Sequence, residues 1–322
     1  MRRPRVLIFN DGFAREDLAD AAGDALELEF VPRGTRAQLL EKIGAADVYV
    51  PTLRIRVDAE VLAAARSLKL VATATTGTDH LDLALLEQRG IPVFSLQKDR
   101  ELLDRITSTA EMAFALLLTC ARHLPECFDA SRQGYWGRDR FAGTQLSGKT
   151  LGIVGVGRLG AMMCRYGRAF GMQVLGCDPH PERIPEGVTS RDLDGLLAES
   201  DFVSLHVHLT EATRHLLDAS RLARMKRGAC LINTSRGGLI DEAALIREME
   251  SGRLAAVGLD VIDGEWIENK FDHPLIAYSR KNRRLYITPH VAGASPDAVR
   301  MTARFNLEKV RRFFEAHPLP PR

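Results

Sequence analysis

Lys149-Thr-Leu-Gly-Ile-Val-Gly-Val-Gly-Arg-Leu-Gly160 is the stretch that decides the fold. Residues 150–154 form a short, apolar, β-prone run. Gly155, Gly157 and Gly160 follow in the G-x-G-x-x-G spacing, and residues 161–170 read as a helix. A strand, a glycine turn and a helix in that order make the dinucleotide-binding fingerprint. Each glycine has its own reason. The first allows the tight turn, the second admits a pyrophosphate to the backbone, and the third lets helix and strand pack closely. Amides and the dipole at the helix N-terminus then favour the phosphates.

Context strengthens this motif. A second strand, 172–177, ends at Asp178, about 20 residues beyond the second glycine, where a ribose-binding carboxylate belongs. A carboxylate there accepts from a ribose 2′-hydroxyl and repels a 2′-phosphate, so NAD is expected rather than NADP. The duller explanation is a glycine turn in another α/β protein, with Asp178 as a solvated loop acid.

The 322 residues exceed one comfortable core, so two domains are expected. A net charge of +2, without a basic block or acidic tail, gives no sign of a nucleic-acid or membrane-surface partner. The apolar start is interrupted at Asn10 and Asp11, too early for a signal peptide, and no run approaches a membrane span of about 20 residues. The five cysteines form no CxxC pair, which fits buried free thiols and a cytoplasmic location.

Before the fingerprint, strand signals at 5–9, 26–31, 47–50, 68–73 and 91–94 alternate with helix signals at 14–22, 35–43, 58–65 and 81–89. That alternation argues a parallel sheet wrapped by helices. The turns at its carboxyl edge are Pro51-Thr52-Leu53-Arg54 and Thr75-Thr76-Gly77-Thr78. The small residues of the second would let backbone amides grip an anion, although an ordinary polar turn reads the same way. Ser108-Thr109-Ala110-Glu111 fits a capping box at the start of a long helix that reaches about residue 123, with a continuation toward 131 left open by the pattern. An aromatic and basic loop, 134–143, leads into the central strand. Strands resume at 201–206, 229–234, 254–260 and 284–288, with helices at 192–199, 218–226 and 241–251. Six strands then make a second doubly wound sheet. A final amphipathic helix, 295–316, is expected to pack back on the first half. The domain boundaries expected are 1–102 with 295–322, and 103–294.

Three polar clusters sit just past strands of the second half: 233–238, 258–265 and 288–293. Sheet edges of this kind present ligand sites, so Arg236, Glu265 and His290 can converge. Together they suit reduction of a 2-oxo acid. Arg236 would bind the carboxylate and polarise the carbonyl, because its fork matches carboxylate geometry and its charge is permanent. His290 would pass a proton in either direction. Glu265 would stabilise the imidazolium and fix the ring. Singly, each has a plainer reading, as a surface ion-pair partner, a hydrogen-bonded loop residue or a solvated acid. His206 and His208, two apart in a strand-like run, read as a poor metal chelate; no metal is expected.

With those motifs in order, LSGKTLGIVGVGRLG, LINTSRGGLIDEAAL, GLDV and ITPHVAGAS, plus TTGTDHLD and STAE upstream, the chain resembles the D-isomer-specific 2-hydroxyacid dehydrogenases, in their phosphoglycerate dehydrogenase-like branch. The resemblance implies a Rossmann NAD-binding domain inserted into a flavodoxin-like substrate domain, with the active site in the cleft between them. It implies hydride exchange between NAD and a small D-2-hydroxy or 2-oxo acid, and a homodimer formed through the long helix and following loop. Carried over by motif, Arg236 binds substrate, and Glu265 pairs with the acid/base His290. Gly155, Gly157, Arg158, Leu159, Gly160, Asp178, Val207, Thr234, Ser235, Asp260 and Gly293 would contact NAD. Leu53, Arg54, Thr76 and Gly77 would contact substrate. The chain departs from the family at His208 and Trp266, where prolines are usual, at Pro51-Thr52-Leu53, and in the long basic stretch 267–284. No regulatory domain is expected after residue 322. A second class of function, an NAD(H)-sensing corepressor on the same fold, has no need of a proton relay. Within enzymes, phosphite or formate oxidation is a third option, and Glu265 in place of Gln disfavours formate.

Overall fold

The computed structural model divides into two compact units, Met1–Ile106 with Ala294–Arg322, and Thr107–Gly293. The structure describes residues 2–9, 18–266 and 269–321. Asn10, Asp11, the first part of the helix expected at 14–22, and Ile267 lie outside the described residues.

The first unit runs β1 (Arg5–Ile8), α1 (Ala19–Ala22), β2 (Glu27–Phe30), α2 (Arg36–Lys42), β3 (Val48–Val50), α3 (Ala59–Ala64), β4 (Leu70–Ala72), α4 (Leu83–Gln88), β5 (Val93–Phe94) and α5 (Arg100–Leu103). Its sheet is parallel in the order β2-β1-β3-β4-β5, the flavodoxin-like winding. β3 and β4 are buried on both faces, as strands covered by helices on each side must be. Asp58 and Asp82 start α3 and α4 by accepting from the amides of Val61 and Leu85.

The second unit contains α6 (Ser108–Arg122), α7 (Leu124–Arg132), β6 (Thr150–Val154), α8 (Arg158–Ala169), β7 (Gln173–Cys177), β8 (Thr189–Ser190), α9 (Leu193–Glu199), β9 (Phe202–Leu205), α10 (Ala219–Arg224), β10 (Ala229–Asn233), α11 (Glu242–Glu250), β11 (Leu254–Leu259), α12 (Pro274–Ser279) and β12 (Leu285–Ile287). Its strands are parallel in the order β12-β11-β10-β9-β6-β7-β8. That is the Rossmann order with one further strand beyond β11, and the winding reverses between β6 and β9. Two apolar clusters cover its faces. One joins Leu196, Leu222, Leu245 and Leu275, and the other joins Ala113, Leu117, Met163 and Cys164.

The chain's last helix, α13 (Pro296–Ala316), belongs to the first unit. It buries Ala303, Leu307, Val310 and Phe314 against Val6, Ile8, Val48 and Leu70. The Ser295 side chain accepts from the Ala298 amide and Pro296 occupies the first turn, both standard ways to begin a helix. Buried Asn306 donates its amide to the Ala72 carbonyl at 2.7 Å, pinning α13 to the end of β4.

Several expectations are corrected. Ser108 lies inside α6 and caps nothing; Thr107 precedes the helix, and its hydroxyl donates to Glu111. The long helix does not run on to 131. His123 turns left-handed at φ +54° and ends α6, and α7 begins anew with Pro125 in its first turn. Among the described residues the second sheet has seven strands rather than six, because Thr189–Ser190 pairs with β7. Two residues are too few to show a period-two pattern. The basic stretch after 267 contains α12. Cys120, Cys164 and Cys230 are buried free thiols, whereas Cys127 and Cys177 are only partly buried. No described helix is long and apolar enough to cross a membrane.

Replacing Asn306 with Ala leaves the Ala72 carbonyl buried without that donor, which is expected to cost about 1–3 kcal/mol. Urea unfolding followed by circular dichroism measures it, and an unshifted midpoint would show that the bond does not hold α13.

Candidate active site

The glycine turn after β6 is shaped by lack of room. Gly155 has φ +86°, and a Cβ there would lie 2.5 Å from the His206 carbonyl oxygen. A Cβ on Gly160 would lie 2.0 Å from the Gly155 carbonyl oxygen, so α8 closes on the turn only with glycine at that position. Gly157 differs: no described protein atom comes within 4 Å of where its Cβ would stand. The polypeptide does not require a glycine there, whereas a pyrophosphate drawn to the first turn of α8, at Arg158, Leu159 and Gly160, would.

Asp178, at the end of β7, accepts from the Val156 amide at 2.8 Å and from the His180 amide at 2.9 Å. The acid therefore braces the glycine turn. Each carboxylate oxygen keeps a second lone pair that a ribose hydroxyl can use. The Thr234 hydroxyl, past β10, is buried with no hydrogen bond to the described residues, and Ser235 is fixed through its hydroxyl to the Leu205 carbonyl at 2.8 Å. Val207 lies half-buried just beyond β9, and Gly293 lies beside the Thr109 hydroxyl. A dinucleotide suits this set, with an open glycine for its phosphates, an acid for a ribose and an unsatisfied hydroxyl at the strand edge.

Arg236, Glu265 and His290 come from the ends of β10, β11 and β12. His290 Nδ1 lies 2.9 and 3.0 Å from the two Glu265 carboxylate oxygens, and both side chains are partly buried. His290 has φ +54°, a left-handed conformation that is uncommon for a non-glycine residue and marks functional sites. Its amide donates to the Asp260 carbonyl at 2.9 Å. The buried Asp260 carboxylate accepts from the Thr288 hydroxyl, the Val291 amide at 3.0 Å and the Ala292 amide at 2.8 Å. Burial raises the Asp260 carboxyl above its ordinary range, and those three donors pull against the shift. Asp260 thus ties the loop carrying His290 to the end of β11.

Arg236 is held at its backbone and at its side chain. Its carbonyl accepts from the Asn233 side chain at 2.8 Å, and its Nη1 donates to the Ser235 carbonyl at 2.7 Å. The next residue, Gly237, lies against the loop of Glu265: a Cβ there would stand 2.0 Å from the Asp263 amide nitrogen. Two loops that are far apart in sequence are therefore locked at backbone distance.

In the first unit, Leu53 and Arg54 follow β3, and Thr76 and Gly77 follow the neighbouring β4. The Thr75 hydroxyl donates to the Gly77 carbonyl at 2.7 Å and lies 2.8 Å from the Thr73 hydroxyl, which shapes that turn. Arg54 is exposed. His206 lies just past β9 rather than on it, and Ser204 holds its Nε2 at 2.8 Å. Burial pushes the ring down to about 4, so it stays neutral near pH 7.

Residues 114–292 match the model of the D-isomer specific 2-hydroxyacid dehydrogenase NAD binding domain. The chain belongs to this family. Hydroxypyruvate reductase of Thermotoga maritima is 35% identical over 86% of this chain and 87% of its own length. D-3-Phosphoglycerate dehydrogenase of Methanocaldococcus jannaschii is 33% identical over 92% of this chain, which spans only 55% of that protein. The structure of D-lactate dehydrogenase from Aquifex aeolicus with NAD and lactic acid superposes with a TM-score of 0.83 at 29% identity, covering 97% of both chains. The enzyme is an NAD-dependent oxidoreductase of the D-2-hydroxyacid dehydrogenase type.

Two side chains of the enzyme's site region escaped the sequence reading. Glu242, the first residue of α11, accepts from the Asp263 amide at 2.7 Å. His273, before α12, lies 2.7 Å from the Asp263 carbonyl through Nε2, and its Nδ1 accepts from the Leu275 amide at 3.3 Å. Glu242 looked like an ordinary first-turn acid, while His273 had one legible signal, a capping position before Pro274.

Burial pushes the Glu242 carboxyl from its ordinary 4.5 up to about 7; the Asp263 amide opposes the shift and the Asp263 carboxylate adds to it. The folded enzyme thus holds this proton more tightly than the unfolded chain does. The associated stability is fully present below pH 4.5 and is lost as pH rises through 7. Glu242→Gln is expected to remove that loss, so the wild type weakens relative to the variant across the interval. Urea midpoints measured at several pH values check this, and parallel profiles would contradict it.

Proposed function

We propose that the enzyme interconverts a small 2-oxo acid and its D-2-hydroxy acid, of the hydroxypyruvate, glyoxylate or phosphoglycerate class. Arg236 is the carbonyl-polarising group and His290 the acid/base. The observation that carries this reading is the contact of His290 Nδ1 with the Glu265 carboxylate, in the same unit as a glycine turn suited to NAD. NAD, when bound, supplies or accepts the hydride.

The roles follow from charge. With Nδ1 held by Glu265, Nε2 is the ring atom that exchanges a proton with substrate. During reduction, negative charge grows on the carbonyl oxygen; the permanent charge of Arg236 stabilises it, and His290 delivers the proton that quenches it. During oxidation, His290 takes that proton from the hydroxyl and Glu265 steadies the resulting imidazolium. The amides of the turn carrying Thr76 and Gly77 suit the substrate carboxylate, with Leu53 and Arg54 on the adjacent turn. The names of the relatives support the substrate class.

The expected result is NADH oxidation with one or more of glyoxylate, hydroxypyruvate, pyruvate and phosphorylated 2-oxo acids. Bound NADH with no turnover on any of them would argue instead for a nucleotide sensor. His290→Ala is expected to lower kcat by about 10²-fold or more, the range for a lost acid/base. Stopped-flow NADH oxidation checks this, and an unchanged kcat removes His290 from the mechanism.

We also propose that the enzyme is a cytoplasmic homodimer. α7 buries none of its residues, and Phe128, Tyr135 and the 88%-exposed Trp136 crowd one short stretch. An apolar surface of this kind is expected to be covered by a second copy. Sedimentation equilibrium is expected to give a dimer for the wild type and a weaker one for Trp136→Glu; two monomers would refute the pairing.

A further inference from the structure

We propose that Glu242 and His273 are positioning residues that clamp the backbone of Asp263 and thereby set the geometry of Glu265 and Arg236. The inference rests on the acid/base reading of His290 given above.

Asp263 lies two residues before Glu265. Its amide is held by Glu242 at 2.7 Å and its carbonyl by His273 at 2.7 Å. The two clamping side chains also face each other, with His273 Nε2 3.5 Å from Glu242 Oε2. Because His273 Nδ1 accepts from the Leu275 amide, the ring's proton sits on Nε2 and points at the Asp263 carbonyl. The Asp263 carboxylate accepts from Arg214 at 3.2 Å. Every polar group of Asp263 is therefore engaged, and three of those bonds come from distant parts of the chain: α10's preceding loop, α11 and the start of α12.

The clamped amide is also the atom on which Gly237 rests. A shift of Asp263 therefore moves both neighbours. On one side it displaces Glu265, which must reach His290 Nδ1. On the other it releases the backbone next to Arg236. A displacement of about 1 Å at such groups can cost 10²-fold in rate although neither clamp residue touches the reacting atoms. Glu242 and His273 are buried or nearly so, which keeps water from competing for the two backbone groups.

The test compares Glu242→Ala, Glu242→Gln and His273→Ser. Gln keeps an acceptor for the Asp263 amide. Ser keeps a cap for α12 but cannot reach the Asp263 carbonyl, and it serves if Glu242→Ala does not fold. Circular dichroism establishes folding, and NADH fluorescence gives cofactor affinity. The expected result is a roughly 10- to 100-fold loss of kcat in Glu242→Ala and His273→Ser, with NADH affinity within about threefold and most of the rate restored in Glu242→Gln. In a Glu265→Ala background, Glu242→Ala is expected to cost less than it does in the wild type, because one of the two groups it positions is gone. A folded Ala or Ser variant with wild-type kcat overturns the proposal. So does a loss that is fully additive with Glu265→Ala. Nuclear magnetic resonance of the His290 ring gives a readout independent of turnover: its signals are expected to shift in Glu242→Ala and His273→Ser but not in Glu242→Gln. If the wild type turns over none of the acids, the reading of the reaction fails, while the ring signals still decide the clamp; unmoved signals overturn it.

Discussion

The contact between Gly237 and the Asp263 amide is the constraint around which the site is assembled. A Cβ at 237 would sit 2.0 Å from that nitrogen, so only glycine allows the loop after β10 to lie on the loop after β11. Arg236 and Glu265 are the immediate beneficiaries, since each is anchored within two residues of the contact. Parallel strands make this possible. β10 and β11 are neighbours that end at the same edge, so their following loops start side by side.

A second tie completes the arrangement. The Asp260 carboxylate gathers three donors from the segment after β12, and its backbone carbonyl accepts from the His290 amide. The left-handed backbone at His290 is held in place by these bonds. Burying a carboxylate is costly, and the raised pKa of Asp260 shows the cost. What it yields is a ring whose position the fold sets in advance. Stabilisation of charge that develops during the reaction depends on groups that need not reorganise.

The sequence showed the architecture because its signals are local. The alternation of β-prone runs with capped helices, the spacing Gly155-x-Gly157-x-x-Gly160, and Asp178 at its proper distance each depend on a few neighbouring residues. The signals that failed were short or ambiguous. Thr189–Ser190 is too brief to show a strand, and the junction at His123 turns on one residue adopting a positive φ that its neighbours do not announce. Ser108 matched a capping pattern one residue too late, as helix ends often do. Arg236, Glu265 and His290 could be named because each follows a strand in a characteristic polar cluster. Glu242 and His273 could not, because what distinguishes them is the Asp263 backbone that they meet.

By itself, the amino-acid sequence determined two parallel α/β sheets, a glycine turn fit for a dinucleotide, and three polar clusters, holding Arg236, Glu265 and His290, just past strands. Hydrophobic period, turn chemistry and residue type carry that information, and all are properties of short segments. Only the tertiary structure decided that His290 meets Glu265 through Nδ1, that Asp178 braces the turn of Gly155, and that Glu242 and His273 close on Asp263. Those relations join residues up to tens of positions apart, and their distances are set by how strands register and loops pack, which no local pattern encodes.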